Sequence, residues 1–443
     1  MSSIAGFPYF EIQFTKDGKV YLSSEVEALT SHLNKEKPSD LFVISHGWLT
    51  DMQGARHLYE NFFEQVRKII DDGSVPGMGQ RQFAVLGVLW PSKKFSEKDE
   101  TAGGAAGLDT SMEQGVEEEL AGLEELLNDP KLSTKIAALK ALIPQLEDED
   151  NETAATDFAN GVRDLLTKGS TDEEDGSAAL FAMKGDELMQ SLNQPIFAEP
   201  QTGGEGGAAD LGELSDQGEG GAAGLFSAGG FFGAAANLLN LATYYEMKER
   251  AGTVGMKGLH PLLHTILSEN PDLRVHLVGH SSGGRVVSAA ALGTGEQAPL
   301  TLTTLLLLQS AFSHYGFAKR FDGKKDGFFR RVVDDHCITG ATMITHSKKD
   351  KAVGLAYPIA SALAKDNAAG LGDADDIYGA IGSNGALKTP EAISGLSLQP
   401  VGKPYALTAG KLHNLRSDAF ITSHGDICKP EVAYALLTAV AMS

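Results

Sequence analysis

The chain of 443 residues contains only two cysteines, Cys337 and Cys428, which excludes a fold held together by a disulfide framework. Free thiols are typical of a reducing compartment, so we expect a cytoplasmic protein. No apolar run approaches the roughly 18 residues of a membrane-spanning helix. The first residues also lack the basic and then apolar pattern of a signal peptide. These absences predict a chain without a membrane span.

Basic residues are also scarce, because 37 lysines and arginines accompany 59 aspartates and glutamates and give a net charge of −22. Nucleic acids and anionic lipid surfaces attract basic patches, so this charge argues against both as partners. The acidic excess is uneven, since residues 91–250 hold 32 acidic and 11 basic residues. We therefore predict a near-neutral core over residues 1–92 and 245–443, interrupted by an acidic insertion over residues 93–244.

The outer segments alternate apolar, β-rich runs with helical patterns. Continuous apolar runs are typical of strands buried on both faces, and their alternation with helices predicts an α/β fold with a mostly parallel central sheet flanked by helices. We expect the first two strands to form an antiparallel hairpin at the sheet edge. The predicted strands are Tyr9–Phe14, Val20–Leu22, Leu41–Ser45, Phe83–Trp90, Arg274–Val278, Thr301–Gln309, Thr339–Thr345 and Ala419–Thr422, and the predicted helices are Gly54–Asp71, Pro261–Glu269, Gly284–Leu292 and Pro430–Met442.

The acidic insertion has a different pattern. Its first part predicts short amphipathic helices with acidic faces. A stretch with 12 glycines, Gly203–Gly233, follows them and predicts a flexible, low-complexity segment. Phe226, Phe231 and Phe232 are the candidates there for lining an acyl pocket or packing the insertion. The predicted helices are Met112–Leu127, Lys131–Leu146, Thr156–Lys168, Ala178–Leu192 and Ala234–Arg250.

The strongest chemical signal is Gly279-His-Ser-Ser-Gly283, a G-x-S-x-G pattern centred on Ser281. An apolar strand ends at its first glycine and a helical pattern follows, which is the strand–turn–helix that exposes a nucleophilic serine above a sheet edge. The pentapeptide by itself is a weak signal in a glycine-rich chain, because an ordinary strand–helix turn without a catalytic role can have the same pattern. The context favours a nucleophile.

With this motif the chain resembles the α/β-hydrolase superfamily of serine esterases and lipases, over Leu41 to about Ser92 and about Thr243 to Ser443. The resemblance implies an α/β-hydrolase fold. The acidic, helical insertion follows Trp90-Pro91-Ser92 at the expected carboxyl edge of the sheet, where ligands bind, so we expect a cap or lid over the site, with a solvated appendage as the alternative. The resemblance also implies an oxyanion hole from the backbone amides of Trp48, after the run that ends in His46-Gly47, and Ser282. His46, Gly47 and His280 are expected to contact the substrate.

The same resemblance places the catalytic acid at Asp350, after the run Ala341–Thr345, and the catalytic histidine at His424. Three residues are weaker candidates for these roles: Asp334 and Asp335 precede their strand, and His413 precedes the predicted last strand. The order Ser281, Asp350, His424 is that of the superfamily.

The implied function is hydrolysis of carboxylic esters through an acyl-enzyme, with a small-molecule ester as substrate and no cofactor. The same triad could serve a lipase, phospholipase, thioesterase or peptidase, because a fold does not fix a substrate. An interaction protein that uses the acidic insertion to bind a basic partner is the alternative from another class. The histidines and acidic clusters lack the spacing of a metal site, so no metal is predicted.

Overall fold

The computed structural model describes residues 2–48, 50–92, 112–148, 150–166, 174, 177–193, 230–296, 298–350, 353 and 378–443. The chain divides into two compact units. The first comprises Met1–Lys93, Met247–Gly354 and Gly379–Ser443, and the second comprises Lys94–Glu246 and Leu355–Tyr378. No helix in the described part of the chain is long and apolar enough to cross a membrane.

The first unit is built on a nine-stranded sheet flanked by helices, which confirms the predicted α/β class with a mostly parallel sheet. All strands except the first run parallel to their neighbours, in the order β1-β2-β4-β3-β5-β6-β7-β9-β8. The strands are β1 Ser2–Ile4, β2 Phe7–Gln13, β3 Asp40–Ser45, β4 Phe83–Leu89, β5 Arg274–His280, β6 Thr304–Leu308, β7 Thr342–His346, β8 Ala392–Ser397 and β9 Leu412–Arg416.

The edge hairpin exists, but the pairing predicted for it was wrong. β1 pairs with β2 across the two-residue turn Ala5-Gly6, in which φ is 47° and 78°. Two successive positive φ values give the turn twist that matches an antiparallel hairpin. The predicted partner, Val20–Leu22, makes only an isolated bridge from Val20 to Phe14. The sequence pattern missed this turn because Ala5 carries a Cβ, and such residues rarely adopt a positive φ.

Two further differences lie at the opposite side of the sheet. The predicted strand Ala419–Thr422 was wrong, because Phe420 and Ile421 donate to the Ser417 carbonyl in a local turn instead of joining a ladder. The inner strand there is β9, which contains His413. The edge strand β8 was not predicted, because its sequence AISGLS is short, half-exposed and interrupted by a glycine.

Helices cover the sheet and form the core with it. Tyr59, Phe62 and Phe63 of one helix pack on Phe42 and on the C-terminal helix in one apolar cluster. Ser282–Leu292 packs instead against the single π-helical turn Val254–Leu259. The helices of this unit are Ser23–Glu36, Met52–Asp71, His260–Glu269, Ser282–Leu292, Arg330–Asp334, Ile381–Asn384 and Pro430–Val440, and Ser23–Glu36 was not predicted.

The chain leaves the first unit after β4 and returns within a long helix, Gly230–Thr253. The two junctions are joined, because Arg250 Nη1 donates to the carbonyl oxygen of Pro91 at 2.9 Å. Arg250 is itself 5% exposed. Pro91 and Arg250, between which most of the second unit lies in sequence, are therefore neighbours within the first unit.

The second unit is helical in its described parts, as the pattern predicted. Its helices are Met112–Leu127, Ser133–Leu142, Glu152–Leu165, Ser177–Ala182, Gly185–Leu192 and the first part of Gly230–Thr253. The continuous helix predicted over Lys131–Leu146 was wrong at its end, where Pro144 lies in the 3₁₀ turn Ile143–Glu147. The helix predicted over Ala178–Leu192 is interrupted at Met183-Lys184, and the second helix begins at Gly185, whose backbone packs on Thr156.

The glycine-rich stretch Gly203–Gly233 lies outside the described residues up to residue 229, and so does Phe226. Its last residues begin the helix Gly230–Thr253, where Phe231 and Phe232 are buried. Burial at this position is what the packing alternative for these two rings predicts.

Candidate active site

Ser281 occupies a sharp turn between β5 and the helix Ser282–Leu292, where φ is 55° and ψ is −127°. Residues with a Cβ rarely adopt positive φ, so the surrounding structure must hold this conformation. The Ser281 amide donates to Leu308 O, and its carbonyl accepts from Ala311, both at 3.0 Å. The serine is thus fixed by backbone bonds to the chain that follows β6.

Four glycines allow this turn to form. A Cβ at Gly279 would lie 2.6 Å from the Gly283 carbonyl oxygen, and one at Gly283 would collide with the carbonyl oxygens of Ser45 and His46. A Cβ at Gly284 would collide with Ser310. On the opposing loop, a Cβ at Gly47 would lie 2.6 Å from the Ser281 Cβ. The loop after β3 therefore touches the serine turn directly.

Asp350 and His424 form the ion-pair geometry of a catalytic acid and base. His424 Nδ1 donates to Asp350 Oδ2 at 2.9 Å, with the aspartate side chain fully buried and that of His424 26% exposed. Burial acts to raise the pKa of Asp350, but the charge and hydrogen bond of His424 and the amide of Gln309 outweigh it and hold that pKa below its ordinary value. The carboxylate stays ionised, and the other nitrogen of His424 faces away from it.

His280 connects the serine turn to His424. Its Nε2 donates to the main-chain oxygen of His424 at 3.0 Å, and the two rings lie 4.8 Å apart between centroids. A carbonyl oxygen only accepts, so Nε2 carries the proton. Burial, and then the neighbouring His424, lower the pKa of His280 to about 3. His280 is therefore a neutral ring packed against the candidate base, and its expected contact with substrate stays a prediction.

His46 supports the loop that carries Gly47. Its Nδ1 donates to the Gly47 carbonyl at 2.9 Å, and its Nε2 accepts from the Trp90 amide at 3.3 Å. The indole of Trp90 stacks on the His46 ring, and the Tyr59 hydroxyl oxygen accepts a hydrogen bond from the His46 backbone amide. Burial lowers the pKa of His46 to about 4. Both ring nitrogens have partners within the core, so the ring offers a substrate no free polar atom.

The two amides predicted to form an oxyanion hole lie on either side of this contact. Ser282 is the first residue of its helix, where an amide has no acceptor within the helix and the helix dipole favours negative charge. Trp48 follows Gly47, whose backbone meets Ser281. Neither amide donates to any residue that the structure describes. Both donors are available, and their convergence on a substrate oxygen stays a prediction.

The rival candidates have other partners. Asp334 pairs with Arg330 and Asp335 with Arg331, each four residues apart along the chain. His413 is buried in β9, where its Nδ1 donates to Thr342 O and its Nε2 accepts from the Thr408 amide. None of the three contacts His424 in the hydrogen bonds of the described residues.

Sequence reasoning missed Gln309, Tyr59 and the structural use of Trp90. Gln309 donates to Asp350 Oδ2 at 3.1 Å. The only signal for it was a polar residue that ends the apolar run Leu305–Leu308 at the carboxyl edge of the sheet. Within the described ranges no group of three or more His, Cys, Asp or Glu side chains could hold a metal ion.

The closeness of the two loops predicts that Gly283→Ala lowers the free energy of unfolding by about 1–3 kcal/mol, because the new methyl group must displace the backbone of Ser45 and His46. Chemical denaturation monitored by circular dichroism measures the change. Gly79→Ala is the matched control, since a Cβ there meets no atom within 4 Å. Equal stabilities for the two variants would contradict the close approach.

Comparison of the chain with protein-family models, with curated proteins and with solved structures finds no match. Function is therefore inferred from the chemistry of the residues that the fold brings together.

Proposed function

We propose that the protein is a serine hydrolase that cleaves carboxylic esters. The observation that carries this proposal is the hydrogen bond from His424 to the buried Asp350, at 2.9 Å, next to the strained turn of Ser281. Structural ion pairs need no neighbouring serine at positive φ, whereas a nucleophile must be lifted clear of the sheet. An ionised acid, a histidine and a serine held in a strand-to-helix turn are the three groups of a hydrolytic triad.

The proposed reaction follows from these groups. Ser281 Oγ attacks the acyl carbon, and its proton passes to Nε2 of His424. Asp350 accepts the hydrogen bond from Nδ1 and stabilises the imidazolium, while the Trp48 and Ser282 amides bind the oxyanion. The proton then moves to the leaving alcohol as the ester bond breaks. Water, deprotonated by His424, attacks the acyl-enzyme and releases the acid and Ser281.

The sheet topology supports an α/β-hydrolase fold for this unit. Gly47, Ser281, Asp350 and His424 follow the carboxyl ends of β3, β5, β7 and β9, all parallel strands of one sheet. Ligands of open α/β sheets bind outside the carboxyl ends of the strands. The order of Ser, Asp and His along the chain is that of the superfamily that the sequence resembles.

Substitution of the triad tests this proposal. Ser281→Ala should lower kcat for p-nitrophenyl acetate by roughly 10⁴–10⁶-fold, because the nucleophile is lost. Asp350→Asn should lower it by about 10⁴-fold, because the amide favours the wrong histidine tautomer. Asp334→Asn and Asp335→Asn are matched controls and should keep the parent's activity.

A fluorophosphonate probe followed by peptide mass spectrometry supplies the second readout. It should form one adduct, on Ser281, in the parent and none in Ser281→Ala. Absence of both labelling and ester hydrolysis in the folded parent would overturn the proposed function and favour the non-catalytic interaction protein.

As the pH rises from the acid side, kcat/KM should increase with the loss of a single proton from the enzyme. Burial holds the pKa of His46 at about 4 and that of His280 at about 3, so both rings are neutral above roughly pH 5. His424 must be neutral to accept the serine proton, which leaves one group whose protonation abolishes activity. A plot of log kcat/KM against pH should therefore rise with a slope of one. A slope of two, or a flat profile over about pH 5–9, would contradict the assignment of a single histidine base.

We further propose that the second unit acts as a lid that selects substrates by charge. The chain leaves the first unit after Trp90, which stacks on His46 at the site, and Arg250 fixes the return at Pro91. Residues 91–250 carry most of the protein's negative charge. A field of one sign raises the local concentration of oppositely charged substrates and weakens with added salt.

Neutralisation of this charge tests the lid. Combined amide substitution of exposed Glu117, Glu118, Asp129 and Asp150 should lower the preference for a cationic over an anionic ester, measured as the ratio of kcat/KM at low salt. The control variant substitutes exposed Glu27, Asp72, Asp272 and Glu296 of the first unit. The same ratio in both variants would show that the second unit does not act on substrate selection.

A further inference from the structure

Gln309 lies at the carboxyl end of β6 and is completely buried. Its backbone adopts φ of 44°, which a residue with a Cβ takes up only when its surroundings require it. The backbone amide of Gln309 donates to Thr345 Oγ1 on β7 at 3.3 Å. The side chain is therefore held between the chain that follows β6 and the loop that carries Asp350.

The carboxamide of Gln309 has a fixed orientation. Its Nε2 donates to Asp350 Oδ2 at 3.1 Å and to the Gly382 carbonyl oxygen at 3.2 Å. Both partners are acceptors only, so rotating the group by half a turn would place Oε1 against two oxygens. Oε1 itself is buried and has no hydrogen-bond partner among the described residues. The Gln309 carboxamide thus directs both Nε2 protons to Asp350 and Gly382, although its Oε1 has no hydrogen bond among the described residues.

The Asp350 oxygen that Gln309 contacts is the one that accepts from His424 Nδ1. Asp350 Oδ1 accepts from the Val353 amide at 3.2 Å, so the carboxylate is held at both oxygens. The Gly382 carbonyl that accepts from Gln309 also accepts from the Ser347 amide at 2.9 Å, three residues before Asp350. One side chain therefore ties together the acid, its loop and the helix Ile381–Asn384.

We propose that Gln309 is a positioning residue of ester hydrolysis that acts through Asp350, a role that rests on the proposed function. It directs Asp350 Oδ2 toward His424, and its hydrogen bond adds to the charge and hydrogen bond of His424 in lowering the pKa of that carboxyl. A carboxylate at this position would face two acceptors, and an apolar side chain would remove one of the two donors from each of them. Glutamine meets both requirements because it is neutral and donates two protons.

A double-mutant cycle with Asp350 tests this role. Gln309→Met keeps the length of the side chain and removes the donor, and should lower kcat for p-nitrophenyl acetate by about 10–100-fold with KM changed less than about threefold. In an Asp350→Asn background the same substitution should cost no further activity, because Gln309 acts only through the carboxylate. Gln399→Met is the matched control, since Gln399 Nε2 donates only to the Ser397 carbonyl.

A proton NMR spectrum supplies a readout that does not depend on turnover. The downfield resonance of the His424 Nδ1 proton should shift in Gln309→Met and stay unchanged in Gln399→Met. If Gln309→Met does not fold by circular dichroism, Gln309→Leu carries the same two measurements with a smaller side chain.

The outcomes separate this inference from the proposed function. If the parent is active and folded Gln309→Met has the parent's kcat and an unchanged His424 resonance, the positioning role alone is overturned. Full additivity with Asp350→Asn would also overturn it, because it would show a general effect on packing. A folded parent without Ser281-dependent hydrolysis would overturn the proposed function and, with it, this inference.

Discussion

Two loops approach each other so closely at the candidate site that glycine is required on both. The chain after β3 presents Gly47 and the carbonyls of Ser45 and His46, and the turn after β5 presents Gly283 and Ser281. β3 and β5 are paired from Asp40 with Arg274 to Ser45 with Gly279, so the loops that follow the two strands begin side by side. Ser281 adopts a positive φ at this contact, and the amides of Trp48 and Ser282 beside it have no acceptor among the described residues.

Three histidines surround this contact and differ in what burial does to them. His46 and His280 are enclosed, and their lowered pKa values keep them neutral, so they hold backbone groups through a fixed tautomer. His424 remains partly exposed and has the buried carboxylate of Asp350 at one nitrogen. The two enclosed rings therefore serve as hydrogen-bonding links between backbone segments, whereas His424 bonds to a carboxylate and keeps part of its ring exposed.

Much of the fold and site could be predicted because the relevant signals are local. Apolar runs placed β3 to β7, and the G-x-S-x-G pattern placed Ser281 on a turn between a strand and a helix. Gln309 could not be predicted, because its role depends on Asp350 and Gly382, which are distant in sequence and meet only through the sheet. The Ala5-Gly6 hairpin and the turn at Ser417 were missed for a related reason, since backbone dihedral angles and turn bonds decide them and composition does not.

The hydrogen bond between Arg250 and the Pro91 carbonyl oxygen affects how the chain folds. During synthesis β4 is completed long before β5, yet β5 is the neighbour of β3 in the centre of the sheet. The sheet therefore cannot close until the intervening segment has emerged, and closing a loop of that length costs conformational entropy. A compact second unit shortens the effective loop, and the hydrogen bond from Arg250 to Pro91 holds the two ends of that loop close together. Insertions of very different length could be accommodated at this point without altering the register of the strands.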